Sequence, residues 1–381
     1  MRVSSLRLLS VAIWLLSFTS APIAPAAPVA EPKTPAAPAA AIVSEPQHAM
    51  VPVDGSMEFA FSLTDAAGHP MAGSLAVQAA NEKGASDPAA PVSTVALDAD
   101  GLGRYRFLAT NMEPGIHAIQ LRHEPTNTAR IVYVDVLPPA AYQEFEHAAA
   151  QLQFPALPAH LLFIGDSLTD QRRGQNYVDK VAFWLWKRFG NQATVRNAGV
   201  GGDYVVRVWD RLNQRPGTHR PEMYDHLYHP MPSHVFFFLG HNDSKLKSTT
   251  NYAEAVVPPD AFEETYRLAV RKVQVDTGKK PRMIVLSTTS SVFEITQATA
   301  EKQRAAGRAH NLFGKPATLE QYNAIARTVA QECGAEWLDV YEPTRRSPDK
   351  PSLFTPDGVH VSNLGNRLLA LEILRHLAGR E

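Results

Sequence analysis

Four short stretches carry side chains that could do chemistry together. Gly165-Asp166-Ser167-Leu168-Thr169-Asp170 sets a serine among turn-forming residues directly after an apolar run. A serine at such a turn can expose its hydroxyl and point its backbone N–H into a cleft, although Gly-Asp-Ser is also an ordinary turn or helix cap. Asn197-Ala198-Gly199-Val200-Gly201-Gly202-Asp203-Tyr204 holds three glycines. Glycine lets a backbone approach a ligand closely and aim an N–H at it, and a flexible loop would read the same way. The spacing is not Gly-x-Gly-x-x-Gly after a first strand, which argues against a dinucleotide site. Leu239-Gly240-His241-Asn242-Asp243 offers an asparagine amide that can donate to an oxyanion, or that merely closes an Asx turn. Pro356-Asp357-Gly358-Val359-His360 places an acid three residues before a histidine. Such an acid can fold back to accept the imidazole Nδ1–H, which fixes the tautomer and leaves Nε2 free as a base; a surface turn is the other reading.

These stretches follow apolar runs that read as strands. Leu161–Ile164, Val235–Leu239 and Met283–Leu286 are continuous, as expected for strands buried on both faces. Residues 193–195 and 336–340 are shorter strands. Helical spacing recurs over 177–189, 261–275, 319–333 and 364–374. Strands alternating with helices predict an α/β domain with a mostly parallel sheet, whose function sits past the carboxyl ends of the strands. Upstream, residues 47–138 alternate with period two in short runs (57–61, 74–78, 103–107, 117–121, 131–136) separated by turns such as Asp98-Ala99-Asp100-Gly101. This predicts a small β-sandwich, Ig-like or jelly-roll-like, joined through 139–159 to the α/β domain at 160–381. The aromatics Phe59, Phe61, Tyr105, Phe107 and Tyr133 alternate as core residues do, and none is assigned to sugar binding.

Each motif alone is weak, but their order and their places after successive strands are not. Together they resemble the SGNH hydrolases, the GDSL esterase family, over roughly 160–375. The resemblance implies a three-layer α/β/α flavodoxin-like domain and a serine esterase that needs no cofactor. It implies Ser167 as nucleophile, His360 as general base and Asp357 as the residue orienting His360. The oxyanion hole would be the N–H groups of Ser167 and Gly202 and the side-chain amide of Asn242. Gly202 is chosen because it ends the Asn-x-Gly-x-x-Gly pattern. There is no Gly-x-Ser-x-Gly, so the α/β-hydrolase elbow is not the match.

The ester is harder to read. The third stretch has His241 where many relatives have glycine, which resembles carbohydrate O-acetylesterases; His241 also reads as a packing or loop-capping residue. Arg207 could reach an anionic sugar, and Trp209 could stack on a sugar face. Val205, Val208 and Leu212 equally make an amphipathic helix with Trp209 in its core. Stretches 214–233 and 294–316 read as loops over the sheet edge. His226, His229 and His234 lack zinc-ligand spacing, and no metal site is expected. The favoured reading is a secreted O-acetylesterase acting on a carbohydrate. Competing readings are an esterase, lipase or thioesterase of longer chains, an acyltransferase, and a non-catalytic glycan-binding protein.

Length and charge agree. The 381 residues suggest two domains at about 150 residues each. With 37 Lys+Arg against 38 Asp+Glu, no basic excess points to nucleic acid. Arg2 and Arg7 precede an apolar stretch, Leu8–Phe18, and Ala24-Pro25-Ala26 fits a cleavage site. Residues 1–26 thus read as a signal peptide, which implies a periplasmic or secreted protein without a stable membrane anchor. Residues 27–46 read as an Ala/Pro-rich linker. The one cysteine, Cys333, excludes an intrachain disulfide and reads as a buried, inert thiol.

Overall fold

The computed structural model describes residues 40–81, 84–86 and 89–379. The expected signal peptide and residues 27–39 of the expected linker lie outside them. The described chain opens with eight strands: β1 (Ala41–Glu45), β2 (Ala49–Pro52), β3 (Ser56–Thr64), β4 (Gly73–Ala80), β5 (Val92–Leu97), β6 (Leu102–Leu108), β7 (Gly115–His123) and β8 (Thr128–Leu137). They form two sheets, β1-β3-β6 and β2-β8-β7-β4-β5, antiparallel except where β2 runs parallel to β8. Alternation turns Phe59, Phe61, Leu63 and Phe107 inward from the first sheet, and Leu75, Val77, Leu121, Val132 and Val134 inward from the second. The linker expected through residue 46 therefore ends earlier. Ala41–Glu45 pairs with β3 and buries Ile42 and Ser44, an alternation that the Ala/Pro-rich surroundings masked.

Helix α1 (Pro139–Ala150) leads into the second region, with β9 (Ala159–Gly165), α2 (Tyr177–Phe189), β10 (Ala193–Asn197), α3 (Val205–Leu212), β11 (His234–Phe238) and α4 (Pro259–Asp276). Then follow β12 (Arg282–Leu286), α5 (Phe293–Ala305), α6 (Pro316–Glu332), β13 (Glu336–Leu338), α7 (Tyr341–Arg346) and α8 (Asn363–Leu377). The sheet order is β10-β9-β11-β12-β13, and every pairing is parallel. Every residue of β11 is buried, because helices cover both faces of the sheet. Phe163 and Phe236 stack at 4.4 Å on the face covered by α1, α2 and α8. Leu162 and Phe237 face α3, α4 and α6. This is the expected three-layer α/β/α arrangement. The stretch 294–316 is not simply a loop: α5 occupies most of it and buries only Thr296 and Ala300, too little apolar surface for the pattern to show. Cys333 is half-buried after α6 rather than fully buried, and burial pushes its thiol pKa up. Among the described residues no helix is long and apolar enough to cross a membrane.

The β-sandwich and the α/β region share one core. Trp184 of α2 stacks on Phe145 of α1 at 5.7 Å and donates from its indole N–H to Met50 Sδ of β2 at 3.2 Å. Beside it, Asp135 of β8 is fully buried and accepts from Lys180 Nζ of α2 (2.7 Å), and from Asn363 Nδ2 (2.8 Å) and Arg367 Nε (3.0 Å) of α8. A buried carboxylate is tolerated only when paired and hydrogen-bonded, and here both conditions are met.

Candidate active site

The site lies at the carboxyl end of the sheet, where parallel strands leave their connecting loops. After β9 the chain turns sharply because Asp166 Oδ1 accepts the Leu168 N–H at 3.0 Å and its carbonyl accepts from Thr169 and Asp170. Ser167 stands half-exposed on this turn. Asn176 ends the loop as the cap of α2: its side chain accepts the Val178 N–H, its own N–H goes to Asp179, and its Nδ2 holds Thr169 O at 2.7 Å.

The histidine arrives on the loop before α8. Asp357 Oδ1 accepts the N–H groups of Val359 and His360 and the Thr355 hydroxyl, each at 2.9 Å. Its Oδ2 lies 2.6 Å from His360 Nδ1, and His360 Nε2 lies 2.9 Å from Ser167 Oγ. With Asp357 ionised, Nδ1 carries the proton and Nε2 accepts from the serine hydroxyl. Burial alone would raise the Asp357 pKa; the hydrogen bonds from His360 and Val359 prevail and hold it well below the usual carboxylate range. The loop is braced by the segment leading into α5, where the Val292 N–H donates to Gly358 O at 2.9 Å.

The three candidate oxyanion donors stand on the loops after β9, β10 and β11. Among the described residues, the N–H groups of Ser167 and Gly202 make no hydrogen bond within the protein. Gly202 takes a left-handed φ of +80°, which favours glycine. The loop before it is pinned because the Gly201 N–H donates to Asp170 Oδ2 at 2.8 Å, and Asp170 is itself held by Arg220 at 2.5 Å. Burial opposes ionisation of Asp170, and the bonds from Arg220, Arg172 and Gly201 outweigh it and lower its pKa.

Asn242 is buried after β11, and its orientation is decided by two neighbours of opposite kind. Lys245 Nζ, which can only donate, contacts Oδ1 at 3.2 Å. Asp166 Oδ2, which accepts, takes one Nδ2 hydrogen at 3.3 Å. One amide hydrogen is left over. Next to it the Asp243 carboxyl is fully buried. Its Oδ1 accepts the Val205 N–H that begins α3 at 2.9 Å, its Oδ2 has no partner, and burial pushes its pKa up to about 7.

The residues considered for substrate contact fare differently. His241 is 6% exposed, so it does not present its ring to a substrate. Its Nε2 accepts the N–H of Thr289, in the loop after β12, at 2.9 Å, and its Nδ1 lies 3.4 Å from Asp166 Oδ2. Trp209 is half-buried against the apolar cluster of α3 and α4, as the packing alternative requires, and keeps part of its surface exposed. Arg207 is exposed, its guanidinium 4.8 Å over the Tyr204 ring and its Nη1 3.3 Å from Gly202 O. Sequence reasoning missed Lys245 and Arg173; the spacing of three between Asn242 and Lys245 was the one available signal. Arg173 lines a cavity of about 170 Å³ with Ser167, Gln175, Asn176, Thr355 and His360. No cluster of metal-ligating side chains occurs among the described residues.

Such a geometry can deprotonate a serine hydroxyl as it attacks a carbonyl, and can donate to the oxygen that becomes negative. A family model points to the same class of chemistry. The model of the GDSL-like Lipase/Acylhydrolase family matches residues 163–368. The mouse protein "Isoamyl acetate-hydrolyzing esterase 1 homolog" is 26% identical over 221 residues, covering 57% of this chain and 80% of its own. A lipase/acylhydrolase structure from Enterococcus faecalis is 18% identical and covers 58% of this chain and 96% of its own, with a TM-score of 0.43. A GDSL-like lipase structure from Parabacteroides merdae is 15% identical with the same two coverages and a TM-score of 0.44.

Proposed function

Since the chain belongs to the GDSL-like lipase/acylhydrolase family, the SGNH hydrolases, and is thereby a hydrolase of carboxylic esters, we propose that it removes acetyl groups from a carbohydrate outside the cytoplasm. The observation that carries the catalytic part is the unbroken chain Ser167 Oγ–His360 Nε2 and His360 Nδ1–Asp357 Oδ2, at 2.9 and 2.6 Å. His360 takes the Ser167 proton as Oγ bonds to the ester carbonyl carbon. Ser167 N–H, Gly202 N–H and the spare Asn242 hydrogen receive the oxyanion. His360 then returns its proton to the leaving alcohol as the C–O bond breaks, and water hydrolyses the acyl-enzyme by the reverse sequence.

Three features support a short acyl group and a polar alcohol. The cavity beside Ser167, about 170 Å³, is of the order of the 150 Å³ that accommodates one benzene ring. Its lining of Arg173, Gln175, Asn176 and Thr355 suits hydroxyl-rich groups better than a fatty chain. The mouse relative is named for an acetate ester. The secreted location rests on the sequence of residues 1–26. Hydrolysis of nitrophenyl acetate, butyrate and octanoate by wild type and Ser167→Ala tests the proposal, with acetate release from acetylated xylan and pectin alongside. The expected result is a clear preference for acetate and a loss of kcat of at least about 10⁴-fold in the variant with an unchanged circular dichroism spectrum. Octanoate preferred over acetate, or turnover that survives Ser167→Ala, counts against it.

A further inference from the structure

The charges around Ser167 are one-sided. Three cations come from three separate segments: Arg173, after the serine turn, in the cavity beside Ser167; Arg207, in the first turn of α3, against Gly202 O; and Lys245, after β11, against Asn242 Oδ1. Among the described residues none of the three is in an ion pair, whereas their neighbours Arg172, Arg211 and Arg220 each hold a carboxylate, from Glu222, Asp203 and Asp170. The acids nearby are spent or hidden. Asp166, Asp203 and Asp243 are fully buried, Asp170 is 4% exposed, and Asp357 is engaged by His360. Arg173 and Arg207 are exposed and have no ion-pair partner among the described residues, whereas the exposed carboxylate of Asp357 is taken up by His360. Burial lowers the Lys245 pKa and Arg207 lowers it further against the pull of Asp243 and Asp166, so the two cations sense one another. Like charges gathered at a cleft focus an attractive field on anions and lose their mutual repulsion when one binds.

Resting on the esterase reading above, we propose that this rim selects esters whose own molecule carries a carboxylate, that is, O-acetylated acidic sugars of the uronic acid type. Arginine forks match a planar carboxylate with two parallel hydrogen bonds, and Lys245 adds a point charge on the oxyanion side. The net charge of −1 spread over the whole chain gives no reason for a cationic patch here, whereas an acidic substrate does.

The test compares 4-acetoxybenzoate with its methyl ester, each rate normalised to uncatalysed hydrolysis, on wild type, Ser167→Ala, Arg173→Gln and Arg207→Gln. Galacturonate, galactose and galactose 6-sulfate serve as competitors. Wild type should favour the acid at least about tenfold in kcat/KM at low salt, the scale of one charged hydrogen bond. That preference should shrink toward unity in about 0.5 M NaCl, where the Debye length is only a few ångströms. Each arginine variant should lose most of the ratio, and galacturonate should compete better than the other two sugars. A ratio of one with Ser167-dependent turnover overturns the anion proposal and leaves the esterase reading standing. Equal competition by the sulfate overturns the carboxylate assignment. Absence of any Ser167-dependent hydrolysis overturns both.

Discussion

Asp243 is a buried acid one position beyond the proposed oxyanion donor, and its protonation reaches the fold through one hydrogen bond. Its folded pKa of about 7 stands above the ordinary 3.8 because burial penalises the anion. The folded state therefore binds the proton more tightly than the unfolded chain. Its contribution is fully present below about pH 3.8 and is lost as pH rises through about 7, by up to about 1.4 kcal/mol per pH unit. Asp243→Asn keeps an acceptor for the Val205 N–H and abolishes the titration, so urea unfolding at a series of pH values should show a flatter profile than wild type between those limits. Parallel profiles would reject the assignment. Asp357 works in the opposite sense: its lowered pKa adds stability above the ordinary carboxylate range that is lost on acidification. At this scale Ser167, Asp357, His360 and Asn242 were legible because motif order and loop position announce them. The fate of His241 was not, because a residue type does not say whether an imidazole will be buried between two loops.

At the scale of elements, the loop that carries Gly202 is held by close packing as much as by hydrogen bonds. Asn197 Nδ2 donates to Thr169 O at 2.6 Å, and Gly199 lies against the same threonine. A Cβ added to Gly199 would come 2.5 Å from Thr169 Cβ and 2.6 Å from its carbonyl carbon, so the two loops would have to part. Gly199→Ala should cost about 1–3 kcal/mol in urea unfolding. It should also lower kcat more than Thr169→Ser, which keeps the backbone in place. Equal stability to wild type would show that the contact is not needed. Most strands and helices were readable from period and length, since β9, β11 and β12 each hold a continuous apolar run and α2, α4, α6 and α8 carry the 3.6-residue stripe. β1 escaped because five residues inside an Ala/Pro-rich stretch are too few to show alternation. α5 escaped because it buries so little. Residues 214–233 were rightly seen as largely loop, but not that Arg211 and Arg220 would fasten them to Asp203, His219 and Asp170.

For the whole molecule, the β-sandwich is fastened to the helices that follow the serine and the histidine. Asp135→Ala would leave Lys180 and Arg367 buried without their carboxylate, and should cost about 3–5 kcal/mol in urea unfolding. A loss below about 1 kcal/mol would show that water or Gln175 replaces it. Nothing in the sequence announced this link, because the partners are far apart and each is an unremarkable charged residue. That separation has a consequence for how the chain is made. Lys180 follows Asp135 by 45 residues, Asn363 by 228 and Arg367 by 232. A chain emerging amino end first therefore completes the strands of the sandwich long before the last helix exists to neutralise its buried acid. The strands can pair and bury their own apolar faces first, while Asp135 gains Lys180 early and its partners on α8 last, so the seam between the two regions is the latest part of the sandwich to be completed.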